Sequence, residues 1–518
     1  MESECMGELI KEESSTLIMS QTFTEFKNYL ENMQRFGQVV TLLYWDMETG
    51  MPKNGFDRHS DALTYFSTEE FKLSTSEELK EYLRVLNQPE ELEQLDPDWQ
   101  FIVKKMHRDI ERDSRIPVEF YSAFVAAQAE AGRAWQEAKA AADYHIFAPH
   151  LKKMIDMRRE MVSYTDPGKE VYDAFLDQYE EGMDSATIDR LFEELKTELI
   201  PLVQKIIAAD QPDDSKFHRF FDVDAQKKVQ KLLLEYIGFD FNKGAVGETE
   251  HPFTLNFSSQ DVRVTNHYHE DDPICAMFSA IHEGGHAIFE QNVNPKLDGT
   301  VGGSCNYMGI HESQSRFYEN VLGRNINFWI PIYDKVQELL PNFGDITIEE
   351  FAKEINHVRN SFIRTDADEI TYCFHIIIRY EMEKAIFREG VSVEELPALW
   401  NKKMQEYLQI TPKNDAEGIL QDMHWSDGSF GYFPTYLLGS IYDGMYRDTI
   451  EEELGSIDKI LKEGRIKDIT KWLNEKIHVY GSTRLPKEVI ASVCKKEVSA
   501  EPLVRYFKEK YVKIYNLK

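Results

Sequence analysis

The chain has 518 residues, 42% of them hydrophobic and 12% aromatic, which is ample apolar material for a large packed core. Its 59 basic and 91 acidic side chains leave a formal charge of −32, an excess that argues against partners such as nucleic acid or an anionic membrane surface. Any anionic group on a substrate would need a local cationic site to hold it.

In chain order, the first twenty or so residues are acidic where an export signal would be basic, and they lack a continuous apolar run. No stretch approaches the ~20 apolar residues of a membrane span. Five scattered cysteines (Cys5, Cys275, Cys305, Cys373, Cys494) without CxxC spacing indicate neither a disulfide framework nor a cysteine metal site. A reducing cytoplasm is the expected compartment. Apolar residues at three- and four-residue intervals predict amphipathic helices over 23–43, 186–209, 347–386 and 446–477. Gly and Pro fall mainly between these segments, so the expectation is one large, mainly α-helical body.

One segment departs from that pattern. Residues 253–257 (FTLNF) and 261–268 (DVRVTNHY) alternate apolar and polar around Ser-Ser-Gln, a strand-and-hairpin signature. The sequence then predicts a helix start at Asp271-Asp272-Pro273, with Asp at the N-cap and Pro at the first helical position.

That helix carries His282-Glu283-Gly284-Gly285-His286, an HExxH motif. Four residues of helix turn through about 40° beyond one revolution, so both imidazoles can reach one cation while Glu283 projects beside them. Two neutral imidazoles and a carboxylate suit zinc, with a fourth position left for water. The flanking residues are apolar, so this face is expected to be buried. Two adjacent glycines each cost about 1 kcal/mol in a helix interior; a closely approaching helix or substrate would explain them. For the third ligand, spacing does not choose among Glu290, Glu312 and Glu319.

HEGGH followed by His311-Glu312-Ser313-Gln314 resembles the thermostable, Taq-type metallocarboxypeptidase family. Further motifs of that family follow in its order: HPF at 251–253, DxRxT at 261–265, [IV]RxxAD at 363–368 and GxxQDxHW at 418–425. The segments LLYWDMETGMP (42–52) and GYFPTY (431–436) are similar to it too, and the likeness spans residues 22–518. The resemblance implies a single catalytic domain over 22–518, nearly all helical around a deep groove, with a small sheet beside the active site. The fold so implied is related to that of angiotensin-converting enzyme and neurolysin. Residues 1–21 read as an extension expected to be poorly ordered.

The resemblance also implies one Zn2+ per chain held by His282, His286 and Glu312, with Co2+ an effective substitute, in a homodimer. It implies broad removal of C-terminal residues from peptides with a free C-terminus. Glu283 is the expected general base, and His424 and Tyr432 the expected oxyanion donors, with Tyr436 as the fallback. Arg364 is the first choice to hold the substrate carboxylate and Arg263 the second. Arg364 is expected within a helix, beside Asp366 and Asp368. Arg316 stands where the converting enzyme has an aspartate near its metal, so the partners of the ligands do not transfer. Two other readings stay open: a dipeptidyl carboxypeptidase or small oligopeptidase using the same metal centre, and a catalytically inactive helical binding protein. Against the last, Glu283 and all three ligands are present.

Overall fold

A computed structural model describes residues 21–517; residues 1–20, read above as most of an extension, lie outside the described residues. The described chain divides into two compact units, one made of residues up to Ser114 with Gly299–Gly302, the other of Arg115–Asp298 and residues from Gly303 onward.

The first unit is helical. Its principal helices are α1 (Gln21–Thr49), α2 (Phe56–Ser74), α3 (Glu77–Leu86) and α4 (Pro97–Asp113). Ser76 and Asp96 cap α3 and α4 by accepting from the amides of Leu79 and Trp99. Phe23 and Phe26 of α1 pack against Trp99, with ring centroids 5.0 and 6.3 Å apart. The predicted helix over 23–43 lies within α1.

The second unit holds α5 (Val118–Ala141), α6 (Tyr144–Thr165), α7 (Val171–Tyr179), α8 (Ser185–Ile207) and α9 (Val223–Ile237). Strands β1 (Val246–Glu248), β2 (Thr254–Ser258) and β3 (Asp261–Asn266) follow, and then α10 (Pro273–Gln291) and α11 (Met308–Arg316). The later helices include α12 (Ile348–Glu354), α13 (Thr371–Lys384), α14 (Leu396–Leu408), α15 (Pro434–Leu454), α16 (Ile457–Lys462), α17 (Ile466–Lys476), α18 (Pro486–Cys494) and α19 (Glu501–Ile514). The expected mainly helical fold with a small sheet is what the chain adopts.

The hairpin is present: β2 pairs antiparallel with β3, with a bulge between Asn256 and Ser258. The sheet has a third strand that alternation did not reveal, β1, which pairs parallel with β3. Val262 and Val264 are buried and the sheet packs on α10.

Two long predicted helices are broken. Within 347–386, α12 ends at Glu354 and α13 begins only at Thr371. Asp368 accepts from the amides of Ile370 and Thr371 and from the Thr371 hydroxyl, so a side chain, not a continuing helix, satisfies the first amides of α13. Within 446–477, three helices replace one. Gly455 (φ 92°) and Gly464 (φ 70°) adopt left-handed backbone that ends α15 and α16. No helix among the described residues is long and apolar enough to cross a membrane. The four cysteines among them are all free.

Candidate metal centre

Helix α10 starts as its sequence dictates: Asp272 accepts from the Cys275 amide, and Pro273 occupies the first turn. Its two glycines answer to helix packing. A Cβ at Gly284 would come within 2.6 Å of Ile237 Cδ1 on α9, and one at Gly285 within 2.7 Å of the Gln314 carbonyl oxygen on α11. On its other side α11 lies against α15, where a Cβ at Gly439 would stand 3.0 Å from the Ser313 nitrogen. The helix bearing Glu312 is thus clasped at backbone distance from two directions.

The start of α11 is fixed by a buried carboxyl. Glu180 accepts from the Gly309 amide at 2.8 Å and from the Tyr442 hydroxyl at 2.9 Å. Burial pushes its pKa up to about 7, against the lowering effect of those two bonds.

His282, His286 and Glu312 bring one donor atom each to within 4.8 Å of one another. Glu312 Oε2 lies 3.4 Å from His286 Nε2 and 3.9 Å from His282 Nε2. Both imidazoles are anchored through the opposite nitrogen. His282 Nδ1 meets Glu319 Oε2 at 2.8 Å, and Arg324 donates to the other oxygen of Glu319. His286 Nδ1 meets His311 Nδ1 at 2.5 Å, and His311 Nε2 meets Glu290 Oε1 at 2.7 Å. One set of tautomers satisfies every one of these bonds: protons on His282 Nδ1, His286 Nδ1 and His311 Nε2. It leaves both Nε2 lone pairs facing Glu312, the arrangement in which outer hydrogen bonds aim ligating imidazoles. Glu312 is itself held by Arg316 Nε at 2.7 Å and Ser315 Oγ at 3.2 Å.

The electrostatics fit a cation. Burial would lower His282, but Glu312 and Glu319 outweigh it and raise its pKa to about 9, so these carboxylates favour a positive charge at Nε2, either a proton or a metal cation in its place. Burial, with His311 adding to it, pushes His286 down to about 3, so it is neutral. Burial opposes ionisation of Glu312, yet Arg316 and the two histidines hold it well below the usual carboxylate range. Glu283, between the histidines in sequence, accepts from Thr254 Oγ1 of β2 at 2.6 Å, and burial raises its pKa. The hairpin therefore sets the position of Glu283.

These groups line a cavity of about 1080 Å³ together with Tyr432, Tyr436 and Arg364. Arg364 sits in a short turn, Arg364–Asp366, and not in the helix expected for it. Its Nε and Nη2 donate to Asp422 Oδ1 and its Nη1 to the Tyr372 hydroxyl. These three bonds leave two of the five guanidinium protons for another acceptor. Two other expected residues fall elsewhere. His424 does not line the cavity; it stands behind Tyr436, its Nε2 3.4 Å from that hydroxyl. Burial lowers its pKa to about 4. Arg263 is also off the cavity wall, paired through two nitrogens with Asp261 and stacked on Phe257. Asp366 and Asp368 both line the cavity, and Asp368 spends its oxygens on the cap of α13. Neither partners a histidine of the cluster; Glu319 and the His311–Glu290 pair do. The spacing of His282, His286 and Glu290, four residues apart on an apolar helix, already marked a polar stripe that included the end of that relay.

Comparison with known proteins agrees with this geometry. The family model described as carboxypeptidase Taq (M32) metallopeptidase matches residues 25–511. Carboxypeptidase 1 of Bacillus subtilis is 42% identical over 495 residues, covering 95% of this chain and 98% of its own. Thermostable carboxypeptidase 1 of Thermus thermophilus is 33% identical over 505 residues, covering 96% and 98%. A solved structure of Pyrococcus furiosus carboxypeptidase superposes with a TM-score of 0.90 at 33% identity, over 96% of this chain and all of that one. The chain belongs to the carboxypeptidase Taq (M32) metallopeptidases, a family whose enzymes depend on a metal.

Proposed function

We propose that the chain is a zinc carboxypeptidase of broad specificity that removes single residues from peptide C-termini, with Co2+ able to replace Zn2+. The observation that carries this reading is the convergence of His282, His286 and Glu312 in one cavity with Glu283 and Arg364. Zinc held by those three residues would polarise the scissile carbonyl and make a water acidic enough to attack near neutral pH. Glu283 takes the proton from that water and later delivers it to the leaving amine. Tyr432 lines the cavity beside Tyr436, its hydroxyl 3.9 Å from Met308 Sδ, and it is the proposed donor to the developing oxyanion. His424 acts behind Tyr436 and orients it.

Arg364 is the proposed clamp for the substrate carboxylate, through the two protons that Asp422 and Tyr372 leave free. Asp422, gripped also by Arg379 Nε at 2.7 Å, fixes the guanidinium plane. Such a charge-assisted contact contributes about 1.5–3 kcal/mol. Arg364→Ala should therefore raise KM about ten- to a hundredfold for peptides with a free C-terminus and abolish discrimination against amidated ones. In the same assay Tyr432→Phe should lower kcat instead. Equal losses on free and amidated peptides would reject Arg364 as the clamp.

The reading as a whole is tested by mass spectrometry of a mixed peptide digest incubated with the protein, with and without a chelator. The expected result is a ladder losing one C-terminal residue at a time, abolished by chelation and restored by Zn2+ or Co2+. Release of dipeptides or internal fragments would transfer the site to a dipeptidyl carboxypeptidase or oligopeptidase. A digest left intact would favour a binding protein. The proposed setting is the cytoplasm and the proposed state a homodimer, for which light scattering giving a single-chain mass would be decisive against.

A further inference from the structure

A second group of ligand-type side chains lies in the second unit, apart from the HExxH cluster. Asp214, Glu354 and His357 bring one donor atom each to within 4.8 Å of one another. Glu354 ends α12, and His357 is held just beyond it by its amide, which donates to the Glu354 carbonyl at 3.0 Å. Asp214 immediately precedes the turn Ser215–Phe217. Glu354 and His357 also line the large cavity.

Two features separate this group from an ordinary surface ion pair. The side chains of Glu354 and His357 are only 8% and 9% exposed. Within them, Glu354 Oε2 and His357 Nδ1 are buried and make no hydrogen bond. A buried polar atom left unmet is destabilising, and here two such atoms face each other 3.5 Å apart. That spacing suits a shared cation. Two ligands about 2.1 Å from a tetrahedral ion stand about 3.4 Å from each other, and His286 Nε2 and Glu312 Oε2 show that same 3.4 Å in the first cluster.

The remaining polar contacts bear on affinity. Arg359 Nη2 donates to Asp214 Oδ2 at 2.8 Å and to Glu354 Oε1 at 3.0 Å, which leaves Glu354 Oε2 uncommitted. His218 Nε2 lies 3.5 Å from Asp214 Oδ2. Two carboxylates against one guanidinium leave the group with a net negative charge, and the Arg359 side chain is 47% exposed, so it can yield toward solvent.

We propose that Asp214, Glu354 and His357 bind a second divalent transition-metal cation, more weakly than the HExxH cluster binds the first. One imidazole and two carboxylates suit Zn2+, Co2+ or Mn2+. Affinity is lower than at the first cluster because Arg359 opposes the incoming charge and Asp214 is 40% exposed.

Equilibrium dialysis of the full chain against Zn2+ tests this. Two classes of site are expected, one tight and one weaker, each of one equivalent per chain. His357→Ala and, independently, Glu354→Gln should each remove the weaker equivalent and keep the tight one. Arg359→Gln should tighten the weaker site about tenfold or more. His282→Ala should do the reverse of His357→Ala, losing the tight equivalent while the weaker survives, so failure at one cluster is distinguishable from failure at the other. A single equivalent in the unaltered protein, or a second one that persists in both His357→Ala and Glu354→Gln, would overturn the proposal.

Discussion

Replacing Glu283 with Gln is expected to lower kcat by about two to four orders of magnitude while the tight metal equivalent stays bound. The substitution keeps the length and shape of the side chain. The Thr254 hydroxyl, which donates to Glu283 Oε2 at 2.6 Å, can donate equally to the amide oxygen of Gln. None of His282, His286 or Glu312 depends on Glu283 for a hydrogen bond. What is lost is the ability to take up a proton. Burial raises the pKa of Glu283, with His282 acting in the opposite sense. A carboxyl so raised is the charged, proton-accepting form only above its shifted pKa, so activity is present above that value and lost as pH falls through it. The variant should lack this acid limb in its residual rate. Metal analysis paired with steady-state kinetics makes the measurement; an unchanged kcat with metal in place would remove Glu283 from the role of base.

The contrast between what was and was not legible in the sequence follows from the range of each interaction. HExxH is local: residues four apart on one helix must share a face, so His282 and His286 could be placed from spacing alone. The hairpin at 254–266 and the cap at Asp272-Pro273 are equally local, and both are present. Glu312 was named only through family likeness, because Glu290 and Glu319 fit the spacing as well. In the structure these three divide the work: Glu312 faces both imidazoles, Glu319 holds His282, and Glu290 holds His286 through His311. No periodicity argument could make that division, since it depends on how α11 is rotated against α10. The long helices misread over 347–386 and 446–477 failed for a related reason. Their apolar spacing continues through the breaks, while the breaks come from Asp368 turning back on the chain and from left-handed glycines. Arg364 lies in the first of these gaps, which is why its surroundings, Asp422 and Tyr372, were out of reach of a local reading.

Gly285→Ala is expected to weaken binding of the first metal about tenfold or more and to lower the melting temperature, although by helix propensity alone it should stabilise. An alanine in place of a glycine inside an isolated helix gains about 1 kcal/mol. Here the new methyl would lie 2.7 Å from the Gln314 carbonyl oxygen and 2.8 Å from Ser315 Cα. Both are backbone atoms of α11, so no side chain can rotate aside and the two helices must separate by several tenths of an ångström. Overpacking of this kind costs about 1–3 kcal/mol, which cancels or exceeds the propensity gain. The displaced segment is the one that carries Glu312, and α15 blocks its retreat, since Gly439 already stands at backbone distance from Ser313. A shift of about 0.5 Å is enough to spoil a preorganised ligand set. Gly284→Ala provides the control. Its methyl would meet Ile237 Cδ1 and Leu234 Cδ2, which are ends of flexible side chains on a helix that carries no ligand. That variant should lose stability but keep its metal affinity. Competition with a chromogenic chelator measures both affinities against the unaltered protein; equal affinity in Gly285→Ala and Gly284→Ala would show that the approach of α11 to α10 does not set the geometry of the centre.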